Sequence, residues 1–106
     1  MNELAYTAIT SQGMTCAIRF PLHPENGSPA AIGALLTGVL DALSTNLAES
    51  AKLSDGDVLQ ALAMAVAIRA RMTGSDPAVS GRLVHELIDE ALAAVIAAPT
   101  HPAARN

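Results

Sequence analysis

Residues Ser54 to Thr73 read SDGDVLQALAMAVAIRARMT, and how they are read decides the fold. Asp55 and Asp57 stand at the start of the stretch, Arg69 and Arg71 at its end, and no polar side chain falls between Ala61 and Ala67. Ser54 followed three residues later by Asp57 is a capping-box start, with Asp in place of the usual Glu or Gln. Acidic residues at the first turn and basic ones at the last suit the helix dipole, and Thr73-Gly74 supplies a positive-φ stop. A water-soluble helix that is apolar on every side must be covered on every side. The stretch is therefore expected as a central helix, about 55–73, with the rest of the chain as its wrapping.

Two further helices flank it. Ser28 reads as an N-cap with Pro29 at the first helical position, opening a helix of about 29–48. Ile32, Leu35, Leu36, Val39, Leu40, Leu43 and Leu47 form its apolar stripe, while Ala30, Ala34 and Gly38 form a separate row of small residues that another backbone could approach. Ser75 or Asp76 caps the next helix, about 77–98, with Pro77 leading it. Leu83, Val84, Leu87, Ile88, Ala91, Leu92, Val95 and Ile96 give it the sharpest amphipathic stripe in the chain, with Arg82, His85, Glu86, Asp89 and Glu90 opposite.

Upstream, residues 3–21 read as a β-hairpin. Met14, Cys16, Ile18 and Phe20 alternate with Thr15, Ala17 and Arg19 at a period of two. A three-residue loop of Ser11, Gln12 and Gly13, with Gly13 at positive φ, sets Thr10 opposite Met14, Ala8 opposite Cys16, Tyr6 opposite Ile18 and Leu4 opposite Phe20. That register collects the larger apolar side chains on one face. An isolated hairpin is marginal, so this face is expected to pack on the helices. PLHPENG, residues 21–27, is a turn-rich connector, and residues 99–106 read as a flexible tail. The expected fold is α+β: one domain over residues 1–98, an N-terminal β-hairpin packed on a three-helix bundle with a central apolar helix.

Composition narrows the function. The chain has 106 residues, a formal net charge of −4 and only six Lys or Arg. Nucleic-acid binding needs clustered cations, so no nucleic-acid partner is expected. Cys16 is the single cysteine, so no intramolecular disulfide forms and a reducing compartment is the simplest setting. The apolar run Val58–Ile68 is about half the ~20 residues a membrane span needs, and the N-terminus lacks signal-peptide character. A cytoplasmic protein without a membrane partner is expected.

Chemistry-bearing constellations are thin. His85 and Asp89 lie one helical turn apart within HELIDE, a run that looks like half of an H-E-x-x-H zinc helix with Asp89 in place of the second histidine. They are the metal candidates, but a third ligand is lacking and a solvated polar face with an Arg82–Glu86 ion pair accounts for the same residues. Cys16 falls on the apolar strand face with no base in reach beyond His23 on the connector, which does not make an activated nucleophile. The start of the helix at Gly27-Ser28-Pro29 lacks a P-loop lysine. After the capped central helix, PAVSGRLVHE turns acidic, unlike a DNA-reading helix.

The sequence thus predicts no enzyme, no cofactor and no metal. An apolar central helix with thin wrapping predicts a homodimer. The expected function is a small interaction or regulatory protein with a protein partner, acting through a helix face or strand edge. The candidate surface is Ala30, Ala34, Gly38, Arg82, His85, Glu86, Asp89 and Glu90. The size suits an accessory or inhibitor protein of a phage or mobile element. The alternative is a module binding a nucleotide or metabolite in a pocket at the subunit interface.

Overall fold

Alternation in the first twenty residues does make a strand pair. Strand β1, Glu3–Ile9, runs antiparallel to β2, Met14–Pro21. A computed structural model of the chain describes residues 3–9, 13–23, 28–49 and 52–102. Helices α1, Pro29–Glu49, α2, Asp55–Met72, and α3, Pro77–Ala97, follow, and a short strand β3, Thr100–Pro102, ends the described chain. This is an α+β arrangement of a three-stranded antiparallel sheet and three helices.

The chain's contacts cluster into two units, one of residues 1–35 and 87–106 and one of residues 36–86. The first holds the sheet, in the order β1-β2-β3. Its register sets Leu4 opposite Phe20, Tyr6 opposite Ile18 and Ala8 opposite Cys16, as the turn geometry requires. Gly13 has φ +78°, a conformation that only glycine adopts without strain. Ser11, Gln12 and the expected Thr10–Met14 pair lie outside the described residues, as does the Pro24–Gly27 part of the connector. Leu4, Tyr6, Ala8, Met14, Cys16, Ile18 and Phe20 share the more buried face. The side chain of Leu4 lies against the start of α1, its Cδ1 being 3.3 Å from where a Cβ on Gly33 would stand. Glu3 and Arg19 pair on the other face, Nη2 donating to Oε1 at 2.7 Å and Nε to the same oxygen at 3.1 Å.

Strand β3 falls within the stretch expected as a tail. It aligns Met14 with Pro102, Thr15 with His101 and Cys16 with Thr100. The Ala17 amide donates to the Pro99 carbonyl at 3.3 Å, and the Thr15 hydroxyl donates to the His101 carbonyl at 3.2 Å. Backbone groups along this side of β2, which a bare hairpin would leave open, thereby find partners. The hairpin is the major part of a three-stranded sheet.

The second unit is helical: residues 36–49 of α1, all of α2 and the first half of α3. Helix α2 begins with the capping box. The Asp57 amide donates to Ser54 Oγ at 3.1 Å and the Ser54 amide to Asp57 Oδ2 at 3.0 Å. It ends at Thr73, whose hydroxyl donates to the Ala70 carbonyl at 2.8 Å, and Gly74 follows at φ +77°. Asp76, not Ser75, caps α3, accepting from the Ala78 amide at 3.0 Å. Ser28 caps α1 through the Ala31 amide at 3.2 Å.

The wrapping expected around α2 is where the structure departs from the sequence reading. No residue of any helix is buried. The buried hydrophobic residues among those described are Cys16, 7% exposed, and Ile18, 6%. In α2 the half-buried row is Val58, Leu62 and Ala70. At 100° per residue Met64 and Ile68 fall on the far side, and Met72 continues their row toward the end of the helix; all three are exposed. Helix α2 is apolar all round, as its composition says, but within one chain only one of its sides finds partial cover.

Candidate functional site

Exposed apolar side chains at helical spacing are the feature that most needs explaining. On α2, Met64, Ile68 and Met72 follow each other at intervals of four residues, so they stack along one side of the helix. Met72 is 65% exposed and Leu59, on another side, 67%. Charged groups frame the row: Asp57 lies toward its start, and Arg71 and Arg69 toward its end. Arg69 Nη1 is 3.9 Å from Met72 Sδ. Unbranched, polarisable methionine adapts to varied partner surfaces, and scattered apolar residues become meaningful when they form a row.

Helix α3 repeats the pattern. The centre line of its stripe, Ser80, Val84 and Ala91, is half-buried. Its larger flanking side chains are not. Leu83 and Leu87 on one flank, and Ile88, Leu92 and Val95 on the other, remain exposed. Ile96, 82% exposed, extends the apolar surface to the end of the helix. The small residues of the stripe take the available cover, and the side chains with the largest apolar area remain in water.

The residues singled out from sequence are also exposed. Arg82, His85, Glu86, Asp89 and Glu90 lie on the polar side of α3. No ion pair joins Arg82 to Glu86 among the described residues. His85 Nδ1 lies 2.7 Å from the Gly81 carbonyl; a carbonyl can only accept, so Nδ1 carries the proton and the ring is held along its own helix. Asp89 is one turn further on, and no group of three His, Cys, Asp or Glu able to hold a metal occurs among the described residues. Ala30, Ala34 and Gly38 lie on the exposed side of α1. A Cβ added to Gly38 would meet nothing within 4 Å, so no backbone of the same chain uses the space that glycine leaves. Cys16 is a buried free thiol on the inner sheet face.

Several clefts lie within residues 36–86, and one of them includes His85. It has a volume of about 360 Å³ and is lined by Ala67, Ala70 and Val84 with Arg71, Ser75, Ser80 and His85. That volume lies at the small end of ligand sites. Its polar groups converge on no single point that the hydrogen bonds define.

The residues that the sequence sets opposite the α3 stripe are exposed, and the thin cover expected for α2 leaves Met64, Ile68 and Met72 exposed. Periodicity reports that a helix has an apolar side, not whether one chain has enough mass to cover it. No family model, curated protein or solved structure matches the chain.

Proposed function

We propose that this chain is a small, non-enzymatic interaction protein that works as a homodimer, its exposed helix rows forming the contact surface. The row Met64–Ile68–Met72 carries this reading. Fully burying an exposed side chain of this kind contributes about 1.5–3 kcal/mol; the rows of two copies, six side chains each 56–65% exposed, therefore contribute roughly 5–11 kcal/mol. Association costs an estimated 4–15 kcal/mol in lost freedom. One row is therefore marginal, and further exposed apolar side chains, such as Leu59 and Leu83, are needed as well.

A bilayer is a poorer partner for the same apolar surface. Helix α1, 21 residues long with a stretch of mean hydropathy 1.4, is long and apolar enough to cross a membrane by length and composition, a property the shorter Val58–Ile68 run does not have. Asp41 falls in its second half, and a charged side chain near the middle of a span costs about 2.5–3.5 kcal/mol. Thr45 and Asn46 follow on the next turn, donating to the Asp41 and Ala42 carbonyls. A protein surface tolerates such groups at its rim.

Light scattering of the purified chain at micromolar concentration is the test. The expected mass is twice that of the chain. Ile68→Glu should return it to the single-chain mass while circular dichroism retains the helix signal. A wild-type chain of monomer mass overturns the proposal.

A further inference from the structure

Strand β1 forms one edge of the sheet, and its sequence is self-complementary. Strand β1 hydrogen-bonds to β2 on one side, and no described strand lies on its other side. Along all seven residues, every second residue therefore turns its N–H and C=O outward without a ladder partner. The opposite edge of the sheet is treated differently. There β3 and the Pro99 carbonyl cover β2 from Met14 to Ala17.

Proteins that keep an edge open usually protect it with proline, lysine, a bulge or a very short strand. ELAYTAI has no proline, lysine or glycine, and its pairing with β2 runs from Glu3 to Ile9 without a bulge. Its one charge, Glu3, is engaged by Arg19 at 2.7 Å. Tyr6, Thr7 and Ile9 favour strand geometry. Ile9 is 72% exposed at the strand end. This edge is built to pair, not to stay open.

We propose that β1 pairs antiparallel with β1 of a second copy, about a two-fold axis at Tyr6, joining two three-stranded sheets into one of six strands. The inference rests on the homodimer reading and says how its sheets meet. The axis sets Tyr6 against Tyr6 of the other copy, Leu4 against Ala8, Ala5 against Thr7 and Glu3 against Ile9. Three properties of the strand favour this register. Leu4, Tyr6 and Ala8, which share the more buried face, remain on one face across both copies, whereas a one-residue slip would set them opposite Ala5, Thr7 and Ile9. The two Glu3 carboxylates go to opposite ends of the ladder, so like charges do not face each other. Large Leu4 meets small Ala8, and the central pair is aromatic, a stabilising cross-strand combination. An unrelated strand could use the same backbone groups, but only a second copy is bound by this symmetry and by the separation of the two Glu3 charges.

Cysteine cross-linking reads the register directly. Ala5 and Thr7 lie on the exposed sheet face, so Ala5→Cys and Thr7→Cys leave the inner face untouched, and buried Cys16 is out of reach of mild oxidant. In the proposed register Ala5 stands opposite Thr7, close enough for a disulfide, whereas Ala5 is diagonal to its own copy and too distant. Co-expressed A5C and T7C chains should oxidise to a mixed covalent dimer, with loss of that product when either variant is expressed alone. A dimer by light scattering that gives no mixed product overturns the strand pairing and leaves the homodimer standing. A dimer in which each variant links to itself overturns the register about Tyr6. A monomer overturns both readings.

Discussion

Ser54 and Asp57 show how much of a helix's position two side chains can determine. Each satisfies the other's backbone amide at the start of α2, at 3.1 and 3.0 Å, where the first-turn amides have no partner within the helix. Ser54→Ala should lower stability by about 1 kcal/mol, and Ser54→Gly by only a few tenths, because glycine lets water reach the freed amides. Urea unfolding of the two variants checks the ordering; no loss in Ser54→Ala would mean that the hydroxyl contributes nothing. This cap, the Gly13 turn and the Gly74 stop were all legible in the sequence because each depends on neighbours within four residues. The choice of Asp76 over Ser75 for α3 was not. Both residues suit a cap chemically, and only the path of the backbone aims Asp76 Oδ1 at the Ala78 amide.

Elements were legible where their pattern is long. The three helices begin at their caps, and the β1–β2 register follows from one turn glycine together with a period of two. Strand β3 has neither aid. Three residues are too few for a period, and its reason to be extended is the edge of β2, more than eighty residues away in the sequence. Helix α1 gives this scale its test, because its two glycines differ in surroundings. Gly38 has open space where a Cβ would go, while at Gly33 that Cβ would press on Leu4 at 3.3 Å. Replacing a mid-helix glycine with alanine contributes about 1 kcal/mol in propensity. Gly38→Ala should therefore stabilise the chain by nearly that amount and raise its melting temperature, and Gly33→Ala should do so by clearly less, since Leu4 must shift. Thermal melts at matched concentration compare them. A Gly38→Ala variant that loses stability would show instead that another helix packs closely on the Ala30–Ala34–Gly38 row.

For the whole molecule the issue is cover. The same alternation and helical spacing that revealed the elements could not reveal which apolar sides one chain would leave in water, because that depends on how much surface 106 residues can enclose. Met64, Ile68, Leu92 and Ile96 read as core by pattern and are exposed in the chain. If a second copy covers them, association adds to the stability of the folded chain, and stability must depend on concentration. A ligand or subunit that binds only the folded state raises apparent stability by mass action. For a dimer unfolding directly to two chains, each tenfold rise in concentration adds about 1.4 kcal/mol per dimer. The melting temperature should therefore climb steadily over a hundredfold concentration range, and the Ile68→Glu variant should lose that dependence together with much of its stability. A wild-type melt that does not move with concentration, measured below any onset of aggregation, would place the folding energy within the single chain. The exposed rows would then have to be partner surfaces that a stable monomer carries in water, and both the helix contact and the β1 edge pairing would lose the second copy they depend on.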